Sequence, residues 1–296
     1  MKTINHLYII GNGFDLYHGL PTSYGHFSDY VKEHDNELAE LVEKYYFHKI
    51  NSDFWSDFEE NLSGLDDDLL REYGLNYLED YGCDHWRDAF HHDYQYELDR
   101  IIDRITQGIR KSFCNWLSQI SFDGLEQKAI LIERDAYYLT FNYTRTLEKV
   151  YDIPIHNILH IHGTFNSHDN VEIIYGHGGR PYIIEKGIDD PRVAEGEEII
   201  KDYFDKTKKP VKQIIHRYQK FFYRMIVDVK NVTIVGHSMN EIDYPYFKRI
   251  CNSIKGRVDW NYYYHSTKDI ENCLRCLGNR LKHNGDKLHF LPYPNC

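Results

Sequence analysis

The chain has 296 residues, long enough for one large domain or for a core domain carrying an inserted one. Its 35 Lys and Arg stand against 46 Asp and Glu, a net charge of -11, whereas general binders of phosphate backbones carry a basic footprint, so nucleic acid is not an expected partner. No secretory leader pattern opens the chain and no apolar run reaches the roughly 18 residues needed to span a bilayer, so a cytoplasmic protein with reduced thiols and no membrane partner is expected.

In chain order, the first apolar run is LYII (7–10), which breaks into GNGFDLYHGLP. Six further short runs read as strands: YYLTF (137–141), ILHI (158–161), VEIIY (171–175), VTIVG (232–236), WNYYY (260–264) and LHFL (288–291). Helical pattern follows three of them, in TRTLEKVY, NEIDYPYFKRICNSI and TKDIENCLRCLGNRLK. This rhythm predicts an α/β fold with an open parallel sheet.

Between the first two strands lie about a hundred residues without a strand pattern but with long helical ones, NELAELVEKYYFHKI and HWRDAFHHDYQYELDRIIDRITQGIRKSFCNWLSQI. A crossover needs only about a dozen residues, so the excess is read as an inserted helical subdomain. The predicted division is a core of 1–32, 135–177 and 230–296, a helical insertion of 33–134, and a second, smaller insertion of 178–229. In the latter, GIDDPRVAEGEEIIKDYFDKTKKP is expected as a mobile loop and VKQIIHRYQKFFYRMIVDV as helix.

Ligands of open α/β sheets bind at the carboxyl ends of the strands, so the residues there are the candidates for chemistry. Gly11 and Gly13 would allow a tight turn and a close approach of backbone N–H groups to a phosphate, or form only a turn. With Leu16 where a third glycine would stand, a hydride-transferring dehydrogenase is disfavoured. Asn142 after the second strand can hold a ribose hydroxyl or a water, or cap the next helix. His160 and His162 share a face by two-residue alternation, and a single catalytic or structural histidine is favoured over a metal pair. Gly236, His237 and Ser238 end the fifth strand. The lone CxxC pair, Cys273 and Cys276, reads as two thiols on one helix, and no zinc is expected.

The order of these motifs resembles that of the sirtuin-like NAD-binding fold. Gly11, Gly13, Gly19, Leu20 and Pro21 match its GxG turn with a following Gly-apolar-Pro. Thr140 and Asn142 match Thr-x-Asn, His162 and Gly163 match His-Gly, and Gly236 and Ser238 match Gly-x-Ser. More specifically, GNGFDLYHGLPTSYGHF with FNYT, HIHG and VGHSMNEID is similar to the AbiH family of bacteriophage abortive-infection proteins, through Asn12, Phe14, Asp15, Thr22, Ser23 and Tyr24.

The resemblance implies a Rossmann-like parallel sheet of the sirtuin type with both insertions, and NAD lying across the strand ends as substrate or ligand. Gly11, Asn12, Gly13, Phe14, Asp15, Gly19, Pro21, Thr140, Gly236, His237 and Ser238 would line its site. Asn142 and His162 would face the nicotinamide ribose and carry the cleavage of the nicotinamide–ribose bond. The implied role is an NAD-hydrolysing antiphage effector, and the alternative is a nucleotide-binding module without turnover. A phage-derived or host trigger is expected, with control by homo-oligomerisation or by the helical insertion. Four positions depart from the sirtuin pattern: Asp15 replaces a small residue, Thr144 an aspartate, His177 an acidic residue and Tyr24 an arginine. A carboxylate beside a pyrophosphate is repelled unless it turns away or holds a cation, and Asp15 is expected either to do so or to cap the helix starting near Leu20.

Overall fold

The computed structural model describes residues 4–47, 49, 54–84, 87–165, 173–179, 181–184 and 187–294. Two compact units emerge: one of Met1–Ser23, Leu117–Ile174 and Pro210–Cys296, the other of Tyr24–Trp116 and Tyr175–Lys209. The stretch expected as one second insertion, 178–229, is thus divided at Pro210 between them.

The first unit is built on six parallel strands: β1 (His6–Ile10), β2 (Tyr137–Thr140), β3 (Ile158–His160), β4 (Asn231–Val235), β5 (Asp259–Tyr264) and β6 (Lys287–Pro292). Their order is β3-β2-β1-β4-β5-β6, the doubly wound order of Rossmann-like sheets. Every residue of β1 is buried, which is why it reads as an unbroken apolar run. Leu7 and Ile9 point to one face, with Leu139, Val232, Ile234 and Trp260, against the helices Tyr244–Ser253 and Thr267–Asn284. Tyr8 and Ile10 point to the other, with Tyr138, Phe14, Leu147 and Tyr151. This alternation under two helical layers fixes the register, because a slip of one residue would exchange the faces.

The switch in strand order falls between β1 and β4, which leave their carboxyl ends side by side. Gly11, Asn12 and Gly13 follow one, Gly236, His237 and Ser238 the other. Away from this end, Asp286 binds the Val258 N–H (3.0 Å), Trp260 Nε1 (2.9 Å) and Arg280 Nε (2.7 Å). That buried ion pair, fully hydrogen-bonded, ties the last helix to β5.

The expected strand VEIIY lies in part outside the described residues, and 173–175 form no strand. Ile173 and Ile174 are buried, and Ile174 N–H donates to the His162 carbonyl at 2.9 Å, so 173–175 are a loop in which both isoleucines pack inward. The expected helix over 211–229 is in fact Val211–Arg217 followed by a π turn, Phe221–Met225.

The second unit is helical. Around Phe27 stand Trp55, Phe58, Phe113 and Trp116, with ring centroids 5.1–5.6 Å away. The expected mobile loop 187–210 is instead largely the helix Pro191–Thr207. Asp190 caps it by accepting from Arg192 N–H (2.8 Å), Pro191 opens it, and Ile200, Tyr203 and Phe204 form its buried stripe. The charged residues between these positions mask that stripe in the sequence. Gly74 and Gly196 sit against the ring of Tyr94, where a Cβ would come within 2.8 and 2.3 Å of ring carbons.

Candidate functional site

The ends of β1 and β4 interlock through backbone. Gly11 N–H donates to the Val235 carbonyl (3.0 Å) and Gly13 N–H to the Gly236 carbonyl (2.8 Å), while Phe14 N–H returns to Gly11 (2.9 Å). A Cβ on Gly11 would stand 2.5 Å from the Gly236 oxygen, and one on Gly236 2.1 Å from Phe14 N. Side-chain-free residues are therefore required here by the contact of two strand ends, whether or not a phosphate ever approaches. The Gly13 N–H is committed to this contact and the Phe14 N–H to the Gly11 carbonyl within the turn, so neither is a free donor for an anion.

The helix Asn12–Tyr17 follows at once. Asn12 is exposed and its amide donates to the Thr22 carbonyl (2.7 Å), holding the loop that contains Pro21. Phe14 is fully buried against His18 and Tyr151. Gly19, at φ +81°, ends the helix in the left-handed conformation that a glycine supplies most readily. The site's Gly19 and Pro21 are both exposed.

Asp15 is 1% exposed, and it neither caps a helix near Leu20 nor faces the turn. The next helix begins at Tyr24, and Asp15 lies inside the short helix before it. Its carboxylate accepts the hydroxyls of Thr144 and Thr146, the latter at 2.6 Å, and meets the Asn142 amide. Burial outweighs these hydrogen bonds and pushes its carboxyl up to about 6 from an ordinary 3.8. A carboxyl raised on folding lends stability that is whole below about 4 and is lost as pH rises through about 6, a difference of roughly 3 kcal/mol. Asp15→Asn, which cannot ionise, should therefore gain on the wild type between pH 4 and 6 and keep that gain at pH 8. Urea denaturation across this range checks it; a gap between the two proteins that does not widen with pH would refute the assignment.

Asn142 ends β2 one residue past Phe141. Its backbone N–H donates to Thr140 Oγ1 (3.1 Å), and its side-chain Nδ2 donates to the Gly11 carbonyl (3.1 Å). It does not cap the helix Thr146–Tyr151, whose N-cap is Arg145. Asn142 is 6% exposed, and its Oδ1 has no hydrogen-bond partner among the described residues. Other buried atoms, Thr22 Oγ1 and Gln95 Oε1 among them, are open in the same way, but Asn142 Oδ1 follows a strand at the carboxyl end of the sheet.

His162, two residues beyond β3, is 2% exposed. Its Nε2 lies 3.2 Å from the Tyr246 hydroxyl, its ring stands 6.5 Å from that of Tyr143, and Phe141 packs edge-on to it at 5.3 Å. His160 is turned elsewhere: Nε2 meets Glu148 Oε1 at 3.1 Å and Nδ1 the Asn142 carbonyl at 3.4 Å. For Glu148, burial acts upward, but hydrogen bonding and charge attraction from His160 hold its carboxyl below the ordinary value. The two histidines of HIHG thus have separate duties, and among the described residues no three His, Cys, Asp or Glu side chains gather as a metal site.

On the β4 side, His237 Nδ1 accepts from Met239 N–H (2.9 Å), which places the ring proton on Nε2, 3.4 Å from Asp243 Oδ2. Met239 has φ +52°, a costly conformation for a residue with a side chain. Ser238 is exposed, and its carbonyl accepts from Asn272 (3.1 Å).

The structure therefore brings together Gly11, Gly13, Asp15, Thr140, Asn142 and Gly236. His162 and His237 both pack against Phe141. Sequence reasoning left out Thr146, Glu148 and Tyr246. The pattern T-R-T after FNY gave one signal, since a buried aspartate needs hydroxyl or amide donors nearby.

The family model described as bacteriophage abortive infection AbiH matches residues 7–264. No curated protein and no solved structure matches the chain significantly. The chain belongs to the AbiH family. Among the described residues no helix is long and apolar enough to cross a membrane.

Proposed function

We propose that this AbiH protein acts in abortive infection by hydrolysing NAD at the β1–β4 switch point, through a sirtuin-like core. The observation that carries this reading is the open Asn142 Oδ1. The amide nitrogen faces the Gly11 carbonyl and the Asp15 carboxylate, both acceptors, so the carbonyl oxygen must be the atom turned away from them. At the carboxyl end of a doubly wound sheet, such an acceptor suits a ribose hydroxyl or a water.

In this mechanism Asn142 Oδ1 accepts a hydrogen from the attacking water and orients its oxygen toward ribose C1′. The C1′–N bond breaks and its electron pair leaves with nicotinamide. The water oxygen bonds to C1′, and His162 takes the released proton. Water is consumed and ADP-ribose, nicotinamide and a proton are formed. His162, enclosed by Phe141 and Tyr246, works where little bulk water competes.

A second reading, nucleotide binding without turnover, is favoured by one specific observation: His162 is only 2% exposed, and so needs rearrangement before it can meet a substrate. Incubating the purified protein with NAD and assaying free nicotinamide separates the two. Release that depends on Asn142 supports hydrolysis; tight binding of NAD with no product supports the second reading. Normal NAD levels in cells that the protein has already arrested would sink the first.

A further inference from the structure

Asp15 is a buried carboxylate that the mechanism above does not use, although it lies directly behind Asn142. We propose that Asp15 is a positioning residue, which holds the Asn142 side chain in the one orientation that turns Oδ1 away from Gly11 and Asp15 and leaves it able to accept from a substrate or water. The proposal rests on the reading of Asn142 as the acceptor for substrate or water, and it gives Asp15 a duty in that same site.

The geometry carries it in three steps. First, the two protons of the Asn142 amide have two acceptors, the Gly11 carbonyl at 3.1 Å and the Asp15 carboxylate. A flipped amide would set Oδ1 against both of them, acceptor on acceptor, and leave Nδ2 where Oδ1 now stands. Gly11 alone holds one proton and lets the amide pivot; Asp15 holds the second. Secondly, Asp15 is itself held. Thr144 and Thr146 donate to its two oxygens, so the carboxylate cannot turn away from Asn142 without losing a hydroxyl partner. Thirdly, Asp15 is 1% exposed, which removes it from contact with a phosphate in solution and from any role as an exposed base. Among the described residues, the titratable group that also acts on Asp15 is His160 of β3, which meets Glu148, with Arg145 bound to Glu148.

The test uses the full chain with its asparagine side chains labelled with 15N, the Asn142 pair being the one missing from Asn142→Ala. In the wild type the Asn142 amide pair should shift as pH is raised from 4 to 8. In Asp15→Asn that shift should vanish, and exchange of the Asn142 amide protons with solvent should rise about 10- to 100-fold, the loss of one hydrogen bond to a charged group. His160→Gln separates the neighbour, since it should move the midpoint of the shift without removing it. A wild-type pair that does not respond to pH, which requires no variant to fold, overturns the proposal, as does an Asp15→Asn protein with unchanged exchange. In NAD hydrolysis, kcat of Asp15→Asn should fall about 10- to 100-fold with KM little changed. Absence of turnover in the wild type would defeat the hydrolase reading, and the amide measurement would still decide the role of Asp15.

Discussion

His162→Ala should lower the release of nicotinamide from NAD by about 10²- to 10⁴-fold, the usual loss when a positioned acid or base is removed. The expectation depends on placement. His162 follows β3, whose register with β2 pairs Thr140 with His160 and so sets the Asn142 and His162 segments side by side. Its ring is boxed by Phe141 and by Tyr246, whose hydroxyl is 3.2 Å from Nε2. Truncation inside such a box also leaves a void, and lost stability must be told apart from lost chemistry. Tyr246→Phe provides that control: it keeps the ring volume and removes only the hydroxyl, so the histidine stays in place with its proton affinity altered. Its pH–rate profile should shift while its thermal midpoint stays near the wild-type value. Binding of ADP-ribose by His162→Ala, measured by calorimetry, should persist, because in the proposed mechanism the residue acts on the proton and not on the nucleotide. Turnover by His162→Ala within tenfold of the wild type would remove His162 from the mechanism.

The parallel sheet was legible because its central strands β1, β2 and β4 are buried on both faces, while β3, β5 and β6 keep apolar or aromatic residues at their less exposed positions. Each therefore appears as a short apolar run between turn residues, and LYII, YYLTF, ILHI, VTIVG, WNYYY and LHFL all meet strands within one or two residues of their ends. The same rule misled at VEIIY, since a loop with inward-packed isoleucines presents the same apolar signal without ladder partners. Helix Pro191–Thr207 was hidden by its solvent-facing charges, although Asp190 and Pro191 mark its start. At the site, the strand-end rule pointed to Asn142, His162 and the glycines. What it could not supply was the setting of Asp15. Thr144 and Thr146 lie 129 and 131 residues away in sequence, and only the pairing of β1 with β2 makes them neighbours. A carboxylate that looked misplaced beside a phosphate turns out to face inward, where hydroxyls hold it.

Gly236→Ala is the substitution expected to damage the fold most among the candidate positions. Its φ of +68° places an L-residue in the left-handed region, a strain of about 1–2 kcal/mol. The new Cβ would stand 2.1 Å from Phe14 N, 2.6 Å from Gly13 C and 2.8 Å from Gly13 Cα. These neighbours are all backbone, so no side-chain rotation relieves the overlap, and forced overpacking adds about 1–3 kcal/mol. The displacement would part the Gly13–Gly236 hydrogen bond and move the Gly11 carbonyl, which holds the Asn142 amide. Stability and the site should therefore fail together. Gly19→Ala separates the two contributions: at φ +81° it carries the same conformational strain, but its Cβ would meet no atom within 4 Å. Urea denaturation should accordingly rank Gly236→Ala well below Gly19→Ala. Equal losses in the two variants would mean that conformation alone demands these glycines. The predicted gap means instead that the GNG turn is shaped first by the strand beside it, and that any nucleotide must be held by groups this contact leaves free, of which Asn142 Oδ1 is one.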